Sequence, residues 1–338
     1  MTIDARTGHL RVSIIVEWAN TIFNGVPRAQ VLLDILRRQW QDMSARDYPA
    51  DLPADAARFL ESLDKRAELL VVSGNAVGAE EEEEIRQHVP DCFDLAIHVG
   101  EGLEYYALKN FGAELAGGDI LLFLDSDVLP DPGWLVHLLG SFARPEIHAV
   151  AGEPYVGPTD VFAAAFALGW TYQLPEENGR LELGRKIYAN NIAFRADTFR
   201  STRFVALGRR TRGAGSLLAR QLERLGRPIW TNTRARVDHP PPSGLRHLAV
   251  RALAHGRDMY MTRSEDRNLY GLIASQRIAG QRLAKGLTNT ARNWRRVGLQ
   301  PRHLPAVFGI IGTYYALFAL GGLLTHVSPI AMGRRFRV

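Results

Sequence analysis

Two aspartates, Asp125 and Asp127, stand directly after a run of five apolar residues, Ile120 to Leu124. An unbroken apolar run of this kind indicates a strand buried on both faces, as in a parallel sheet. Open α/β sheets bind ligands at the carboxyl ends of such strands. Because residues i and i+2 of a strand point to the same face, both carboxylates can face one ion, and hard oxygen ligands suit Mg²⁺ or Mn²⁺. The structural alternative is that these acids cap the following helix.

The sequence around these aspartates resembles the family 2 glycosyltransferases. The family pattern Lys/Arg-Asn-x-Gly-x-x-x-Ala-x-Gly-Asp is matched within Tyr105–Asp119, and its Pro-x-Pro-x-Trp-Leu by Pro130–Leu135. Between them lies the family's Asp-x-Asp, here Asp125-Ser126-Asp127. The resemblance implies a GT-A fold, a nucleotide-sugar donor and a divalent metal that these acids organise together with the donor diphosphate.

The resemblance also implies a donor side of the site. Lys109 and Asn110 would lie near the donor, where a cation meets phosphate charge. Asn20 matches the asparagine of the family's Pro-Thr-x-Asn segment after the first strand. Ser73 and Asn75 stand where the family usually has an Asp pair that holds the nucleotide base, and both can still hydrogen-bond a base. The missing carboxylate leaves the identity of the nucleotide open.

A second match, Ala189–Phe199, resembles the segment that lines the acceptor side in the family. It implies that Asn190 and Asn191 lie there, whereas the structural alternative is a tight turn, which asparagine tolerates. Arg212, in a basic run, suits an anionic acceptor or the donor diphosphate. His239 ends a segment that resembles the family's Ala-x-Val-x-His strand, and is a candidate third metal ligand or phosphate contact.

The largest departure from the family concerns the general base. The family carries Glu-Asp at a position that aligns with Ala214-Gly215 in this chain. A hydroxyl acceptor normally requires a base within hydrogen-bond reach. Glu17 or Glu153, which both follow predicted strands, could replace it. Glu17 could instead contact the donor ribose or base, or be a cap or a salt-bridge partner. Alternatively, an ionised acceptor such as a phosphate needs no base, or the protein is catalytically idle.

Strand and helix patterns alternate from residue 11 to residue 152, which predicts an α/β fold with a mostly parallel sheet. The GT-A resemblance implies a Rossmann-like mixed sheet over residues 1–242. The predicted strands are Arg11–Val16, Glu68–Val72, Phe93–Val99, Ile120–Leu124 and His148–Gly152. The predicted helices are Ala29–Arg46, Ala56–Leu63, Tyr105–Leu115 and Gly133–Ala143, and Val161–Trp170 is either a core helix or an apolar wall facing membrane or acceptor.

The C-terminal part of the chain is basic and then apolar. Residues 243–303 carry twelve Lys or Arg against three acids, with apolar residues at helical spacing. This pattern is typical of a basic amphipathic helical region at a membrane surface, and no nucleic-acid recognition motif accompanies it. Residues 304–325 contain no charge and are long enough to span a bilayer. Basic sequence on both sides, the tail up to residue 338 included, leaves open whether this segment spans the membrane or forms a re-entrant or interfacial hairpin.

The composition is that of an ordinary globular chain, with 46% hydrophobic and 23% charged residues. The single cysteine, Cys92, excludes an intramolecular disulfide. We expect a membrane-associated glycosyltransferase whose catalytic domain is cytoplasmic. The expected partners are a nucleotide-sugar donor with Mn²⁺ or Mg²⁺, a saccharide or lipid-linked acceptor, and membrane lipids, but no nucleic acid. The alternative is a non-catalytic, membrane-tethered protein that binds nucleotide sugars.

Overall fold

The protein is described by a computed structural model that covers residues 9–21, 25–89, 92–170, 174–176, 178–184, 186–207, 213–263 and 268–328. The chain divides into two compact units. The first unit contains Met1–Pro154, Pro175–Ala206 and Ala214–His239, and the second contains Tyr155–Leu174, Leu207–Gly213 and Pro240–Val338. The sequence-based division at residues 242 and 303 was linear, whereas the second unit also takes in two short segments from the middle of the chain.

The described strands form one nine-stranded mixed sheet. They are β1 (Val12–Glu17), β2 (Ala67–Ser73), β3 (Phe93–Val99), β4 (Ile120–Asp125), β5 (Leu129–Pro130), β6 (Ala149–Tyr155), β7 (Leu181–Leu183), β8 (Asn191–Arg195) and β9 (Trp230–Asp238). Their order is β3-β2-β1-β4-β8-β6-β9-β5, and β7 pairs with β9. Strands β3, β2, β1 and β4 are parallel, and β8 is antiparallel to both β4 and β6. The predicted mixed α/β sheet is therefore confirmed.

The described helices occur in both units. In chain order they are α1 (Val26–Ser44), α2 (Ala54–Glu61), α3 (Ala79–His88), α4 (Tyr105–Leu115), α5 (Trp134–Gly140), α6 (Val161–Gly169), α7 (Ala196–Thr202), α8 (Ala214–Arg224), α9 (Gly244–Arg263), α10 (Leu269–Asn293) and α11 (Leu304–Val327). Helices α6, α9, α10 and α11 belong to the second unit. The observed boundaries differ from the predicted ones by at most three residues; at β6 the strand continues through Glu153 to Tyr155.

The central strands are buried along their whole length, as their apolar runs predict. Helix α4 packs directly on them because Gly112 has no side chain. A Cβ at Gly112 would lie only 2.6 Å from Cγ2 of Ile15 in β1. This close approach brings the amino-terminal part of α4, including Lys109, onto the carboxyl ends of β1 and β4.

The second unit is a group of helices that pack around α11. One stripe of α11 is buried, including Ile311, Tyr314 and Phe318. Helix α6 joins this core, since the hydroxyl of Tyr315 donates to the carbonyl of Gly169 at 2.7 Å. By length and composition, Pro301–Val327 is the one helical stretch among the described residues that could cross a membrane. The predicted apolar segment is therefore a helix, while its relation to a membrane stays a prediction.

Candidate active site

Glu17 and Asp125 lie side by side at the carboxyl edge of the sheet. The parallel register of β1 and β4 pairs these two residues directly. Both side chains are buried, with exposed fractions of 0% for Glu17 and 4% for Asp125. When two neighbouring carboxyl groups are both ionised, their negative charges repel each other. The charged groups around them therefore determine which of the two is ionised.

The same line continues across two more strands. Leu124 of β4 pairs with Asn191 of β8, and Ala151 of β6 pairs with Ile192 of β8. β8 is antiparallel to both neighbours. When the two registers are continued beyond the paired residues, Asn190 is therefore aligned with Asp125 of β4 on one side and with Glu153 of β6 on the other. Neighbouring strands lie about 4.8 Å apart, so the aligned positions on β4 and β6 are about 10 Å apart. We call these aligned residues the strand-end row: Glu17, Asp125, Asn190 and Glu153.

The carboxylate of Asp125 is held by two side chains of α4. The hydroxyl of Tyr105 donates to Oδ1 and Oδ2 at 2.8 and 3.0 Å, and Nζ of Lys109 donates to Oδ1 at 2.7 Å. Lys109 is completely buried and also donates to the carbonyl of Leu124 at 3.0 Å. The ammonium of Lys109 is therefore directed at Asp125, and its expected contact with a donor phosphate stays a prediction.

Glu17 is a poor candidate for a base in this environment. Its Oε1 accepts the backbone N–H of Ala19 at 2.8 Å, while Oε2 is buried and has no hydrogen-bond partner among the described residues. Burial, followed by the charge of Asp125, raises the pKa of Glu17 to about 8. At neutral pH Glu17 is mostly a neutral acid, so little of it is available to accept a proton.

Glu153 has the better properties for a base. It is half-buried, and its Oε2 has no hydrogen-bond partner in the described part of the chain. Burial, followed by the charge of Glu176, raises the pKa of Glu153 to about 7, although Arg236 acts in the opposite direction. A carboxyl group with a pKa near 7 is about half ionised at neutral pH, and its ionised form is a stronger base than an ordinary carboxylate.

Arg28 forms hydrogen bonds both with Asp127 and with Asp238 at the end of β9. Its Nε donates to the carbonyl of Asp127 at 2.5 Å, and its Nη2 donates to Oδ2 of Asp238 at 3.0 Å. The β5–β9 register pairs Leu129 with Asp238, which places His239 beside the residues that follow Asp127. Arg28 therefore fixes the part of the chain in which the second aspartate and the histidine lie. No spacing in the sequence marks it for this role.

The residues fit a divalent cation only in part. Among the described residues, no group of three or more His, Cys, Asp or Glu side chains is arranged to hold a metal ion. The three-ligand set expected from Asp125, Asp127 and His239 is therefore not preformed. Asp125 is bound by its α4 partners. Asp127 and His239 are buried at neighbouring strand ends, with exposed fractions of 5% and 4%. Asp127 is the carboxylate whose chemistry and position suit Mg²⁺ or Mn²⁺.

Two of the expected ligand-binding asparagines are structural. The amide of Asn110 donates to the carbonyl of Phe204 at 2.8 Å and accepts the Phe204 N–H at 3.0 Å. Asn191 is completely buried, accepts from Nε1 of Trp134 at 2.9 Å and donates to the carbonyl of Ala235 at 3.0 Å. Both amides therefore have a structural role, and the expected contacts of Asn110 with the donor and of Asn191 with the acceptor stay predictions.

The remaining donor-side residues are placed as expected from strand order. Asn20 is half-buried after β1, while Ser73 is buried at the end of β2 and accepts the N–H of exposed Asn75 at 3.2 Å. Ser126 is buried, and its Oγ has no hydrogen-bond partner among the described residues. Their roles toward a donor stay predictions. Arg212 lies outside the described residues.

The position of the missing base is tightly packed. Ala214 and Gly215 open α8 and are both buried. A Cβ at Gly215 would lie 3.0 Å from the carbonyl oxygen of Ile187. A side chain at Gly215 would therefore require Ile187 to shift by a few tenths of an ångström.

Comparisons with known proteins agree with this fold. Residues 56–210 match the family model described as glycosyl transferase family 2. The glucosyl-dolichyl phosphate glucuronosyltransferase of Haloferax volcanii is 25% identical over 193 residues, which are 51% of this chain and 58% of that protein. The pre-mycofactocin glycosyltransferase of Mycobacterium tuberculosis is 33% identical over 94 residues, which are 28% of this chain and 19% of that protein. Neither relative is matched over two thirds of its length.

A solved structure shows the same architecture over nearly the whole chain. The mannosyltransferase PcManGT of Pyrobaculum calidifontis, solved in complex with GDP-Man and Mn²⁺, has a TM-score of 0.54 and 17% identity, and the match covers 98% of this chain and 91% of that one. At this identity the likeness establishes the fold. Together with the matched family segment, it identifies residues 56–210 as a glycosyl transferase family 2 domain in a chain that has the GT-A fold.

Proposed function

We propose that this protein is a glycosyltransferase that moves a sugar from a nucleoside-diphosphate sugar to an acceptor. The observation that carries the proposal is the strand-end row. It brings together the acidic end of β4, which suits a metal–diphosphate group, and Glu153, which suits proton transfer. The separation of about 10 Å between the two strand positions leaves room for a sugar between them.

On the donor side, Asp127 would hold the divalent cation, with His239 in its neighbourhood. When bound, Mn²⁺ or Mg²⁺ supplies Lewis-acid stabilisation of the leaving nucleoside diphosphate. The complex of PcManGT with GDP-Man and Mn²⁺ is what suggests such a cation here. Ser73 and Asn75 follow β2 on the same edge of the sheet and would contact the base or ribose.

On the acceptor side, Glu153 would accept the proton of the attacking hydroxyl. It is favoured over Glu17 because Glu153 is half-buried with a pKa near 7, whereas Glu17 is fully buried with a pKa near 8. Asn190 lies between the donor end and Glu153 in the strand-end row, so it is placed to hydrogen-bond a hydroxyl of either substrate. An acceptor that is already ionised would make the base unnecessary.

The acceptor is proposed to be lipid-linked and the protein to work at a membrane. The name of the Haloferax volcanii relative contains a dolichyl phosphate, which is a lipid carrier. Within the described residues of the second unit, the basic helices α9 and α10 accompany the apolar helix α11. Basic residues are attracted to anionic lipid surfaces, and apolar helices favour lipid.

The alternative is a protein that binds nucleotide sugars without turning them over. The absence of a carboxylate at Gly215 favours this alternative, since it removes the family's usual base. The test is to incubate the full chain and an Asp127→Asn variant with a panel of nucleotide sugars and Mn²⁺, and to measure both the binding of each nucleotide sugar by calorimetry and the released nucleoside diphosphate. Release by the wild type alone supports the transferase. Binding without release supports the alternative, and neither binding nor release refutes both.

A further inference from the structure

Helices α10 and α11 of the second unit run antiparallel along each other. Nε2 of Gln276, in the first part of α10, donates to the carbonyl of Ala319 in α11 at 2.9 Å. A Cβ at Gly286, further along α10, would lie 3.2 Å from Cγ2 of Ile311, which comes earlier in α11. The start of α10 therefore lies beside the end of α11.

The surface where these helix ends meet is apolar. The end of α9 lies there as well, because the Tyr260 hydroxyl and Nδ1 of His326 are hydrogen-bonded at 2.9 Å. Among the described residues of the second unit, seven of the eight exposed large apolar side chains belong to the first two turns of α10 or the last two of α11. The most exposed is Tyr270, at 84%. We call this surface the apolar end: Leu269, Tyr270, Ile273, Leu320, Leu323, Leu324 and Val327.

The charges beside the apolar end suit an anionic lipid surface. Arg263 ends α9 and Arg277 follows the first two turns of α10, and both are exposed. The one acid among the described residues of α9, α10 and α11 is Asp258, which is buried and accepts from Nε of Arg257 at 2.8 Å. Exposed apolar and aromatic side chains flanked by basic ones are typical of a surface that binds the interface of an anionic membrane.

The packing of α10 works against an α11 that spans the bilayer. The contacts between these helices flank the middle of α11, and the exposed Arg277 and Lys285 of α10 lie along that stretch. A spanning α11 would carry both charges into the hydrocarbon core, where a charged side chain is costly. In its first half, α11 also exposes only small residues, so large lipid-facing side chains occur only near its end: Pro305, Ala306, Gly309 and Thr313 are the exposed ones.

We propose that the second unit binds an anionic membrane from one side, through its apolar end, while α11 stays in the helical bundle and does not cross the bilayer. Interfacial helices enter the boundary between headgroups and acyl chains by about 5–10 Å. The two acids and one arginine of residues 264–267, which lie outside the described residues, favour such shallow binding over deep insertion. This inference rests on the proposed work of the protein at a membrane and adds the surface and the mode of binding.

The experiment measures binding of the full chain to vesicles of phosphatidylcholine and phosphatidylglycerol by flotation. Tyr270→Ser combined with Ile273→Ser should weaken binding at least tenfold, because two exposed apolar side chains lose their contact with lipid. Leu183→Ser combined with Leu225→Ser, at exposed residues of the first unit, is the matched control and should change nothing. Vesicles of phosphatidylcholine alone should bind the wild type more weakly, since the basic residues beside the apolar end lose their anionic partners.

A lysine in the middle of α11 separates one-sided binding from a span. Ala316 is exposed there, so Ala316→Lys should leave vesicle binding within about threefold of the wild type if α11 stays outside the bilayer. In a spanning α11 the same lysine would lie near the bilayer centre and weaken binding at least tenfold. Leu323→Lys, at the apolar end, is the comparison and should itself weaken binding at least tenfold. A protease-cleavable tag added after Val338 should be cut on sealed vesicles as fast as in detergent.

Four results would each overturn the inference. They are wild-type binding by the Tyr270 and Ile273 double variant, loss of binding in Ala316→Lys, protection of the tag on sealed vesicles, and equal binding to both kinds of vesicle. A wild type that binds no vesicle at all would refute this inference together with the proposed membrane location. Release of nucleoside diphosphate by the same preparation tests the transferase activity separately, so the two failures are distinguishable.

Discussion

Replacing Glu153 by Gln is the sharpest test of how this site transfers a proton. Glutamine keeps the shape of the side chain and removes its ability to accept a proton. General-base catalysis contributes about 10²–10⁴-fold to a rate, which corresponds to about 2.7–5.5 kcal/mol of barrier. Because only the deprotonated form accepts a proton, and the pKa of Glu153 is about 7, the wild-type rate should level off above pH 7. At pH 5 it should be about one hundredth of the plateau.

The assay is the pH–rate profile of nucleoside diphosphate release in the presence of acceptor, at saturating donor and Mn²⁺. Glu153→Gln should lower kcat by 10²–10⁴-fold, remove the acidic limb from any residual rate, and leave donor binding unchanged. Glu146→Gln is the matched control, because Glu146 is exposed just before β6. A wild-type limb near pH 8 that disappears in Glu17→Gln would instead assign the base to Glu17. Wild-type rates in both variants would show that neither carboxyl is the base and would favour an ionised acceptor.

The other predictions concern stability and binding. The pKa of Glu17 rises from its ordinary value of 4.5 to about 8 in the folded protein. The free energy of unfolding should therefore decrease as the pH increases from about 4.5 to 8, because ionising the buried carboxyl group is unfavourable. Glu17→Gln should therefore raise the free energy of unfolding at pH 8.5 by at least about 1 kcal/mol, measured by urea denaturation, and equal stability would refute its burial as an acid. Arg28→Met should lower Mn²⁺-dependent nucleotide affinity about tenfold in calorimetry, because Asp127 loses its backbone support; unchanged affinity would contradict that role. Asn191→Ala should cost about 1–3 kcal/mol for each partner left unsatisfied, with donor binding per folded molecule retained. Truncation after Pro242 should give aggregated protein in size-exclusion chromatography, because it removes the helices that cover α6.

The sequence predicted what depends on local patterns. The apolar run before Asp125 identifies β4 because a strand buried on both faces needs apolar residues at every position. The same reasoning found β1 and its terminal Glu17. It also placed Glu153 at a strand end, although β6 continues for two residues beyond it. These side chains meet because parallel strands bring their carboxyl ends to one edge of the sheet.

What the sequence did not predict depends on contacts between distant segments. The bond between the Lys109 ammonium and Asp125 was not predicted, because it depends on how closely α4 approaches β1 at Gly112. Arg28 was missed because its partners lie 99 and 210 positions away, which no local spacing encodes. Asn191 looked like a ligand-binding residue, yet it connects three elements of the first unit through its amide.

The origin of α6 in the middle of the chain matters for how the protein is synthesised. A ribosome adds roughly 5–20 residues per second, so α11 is completed about 8–30 s after α6. Through that interval the buried face of α6, which includes Ala163 and Phe166, lacks the helices that cover it in the finished protein. A nascent chain with an exposed apolar helix is a substrate for chaperones and prone to aggregation. Slow or interrupted translation of the last third of the chain should therefore reduce the yield of folded protein more than interruption within the first 150 residues.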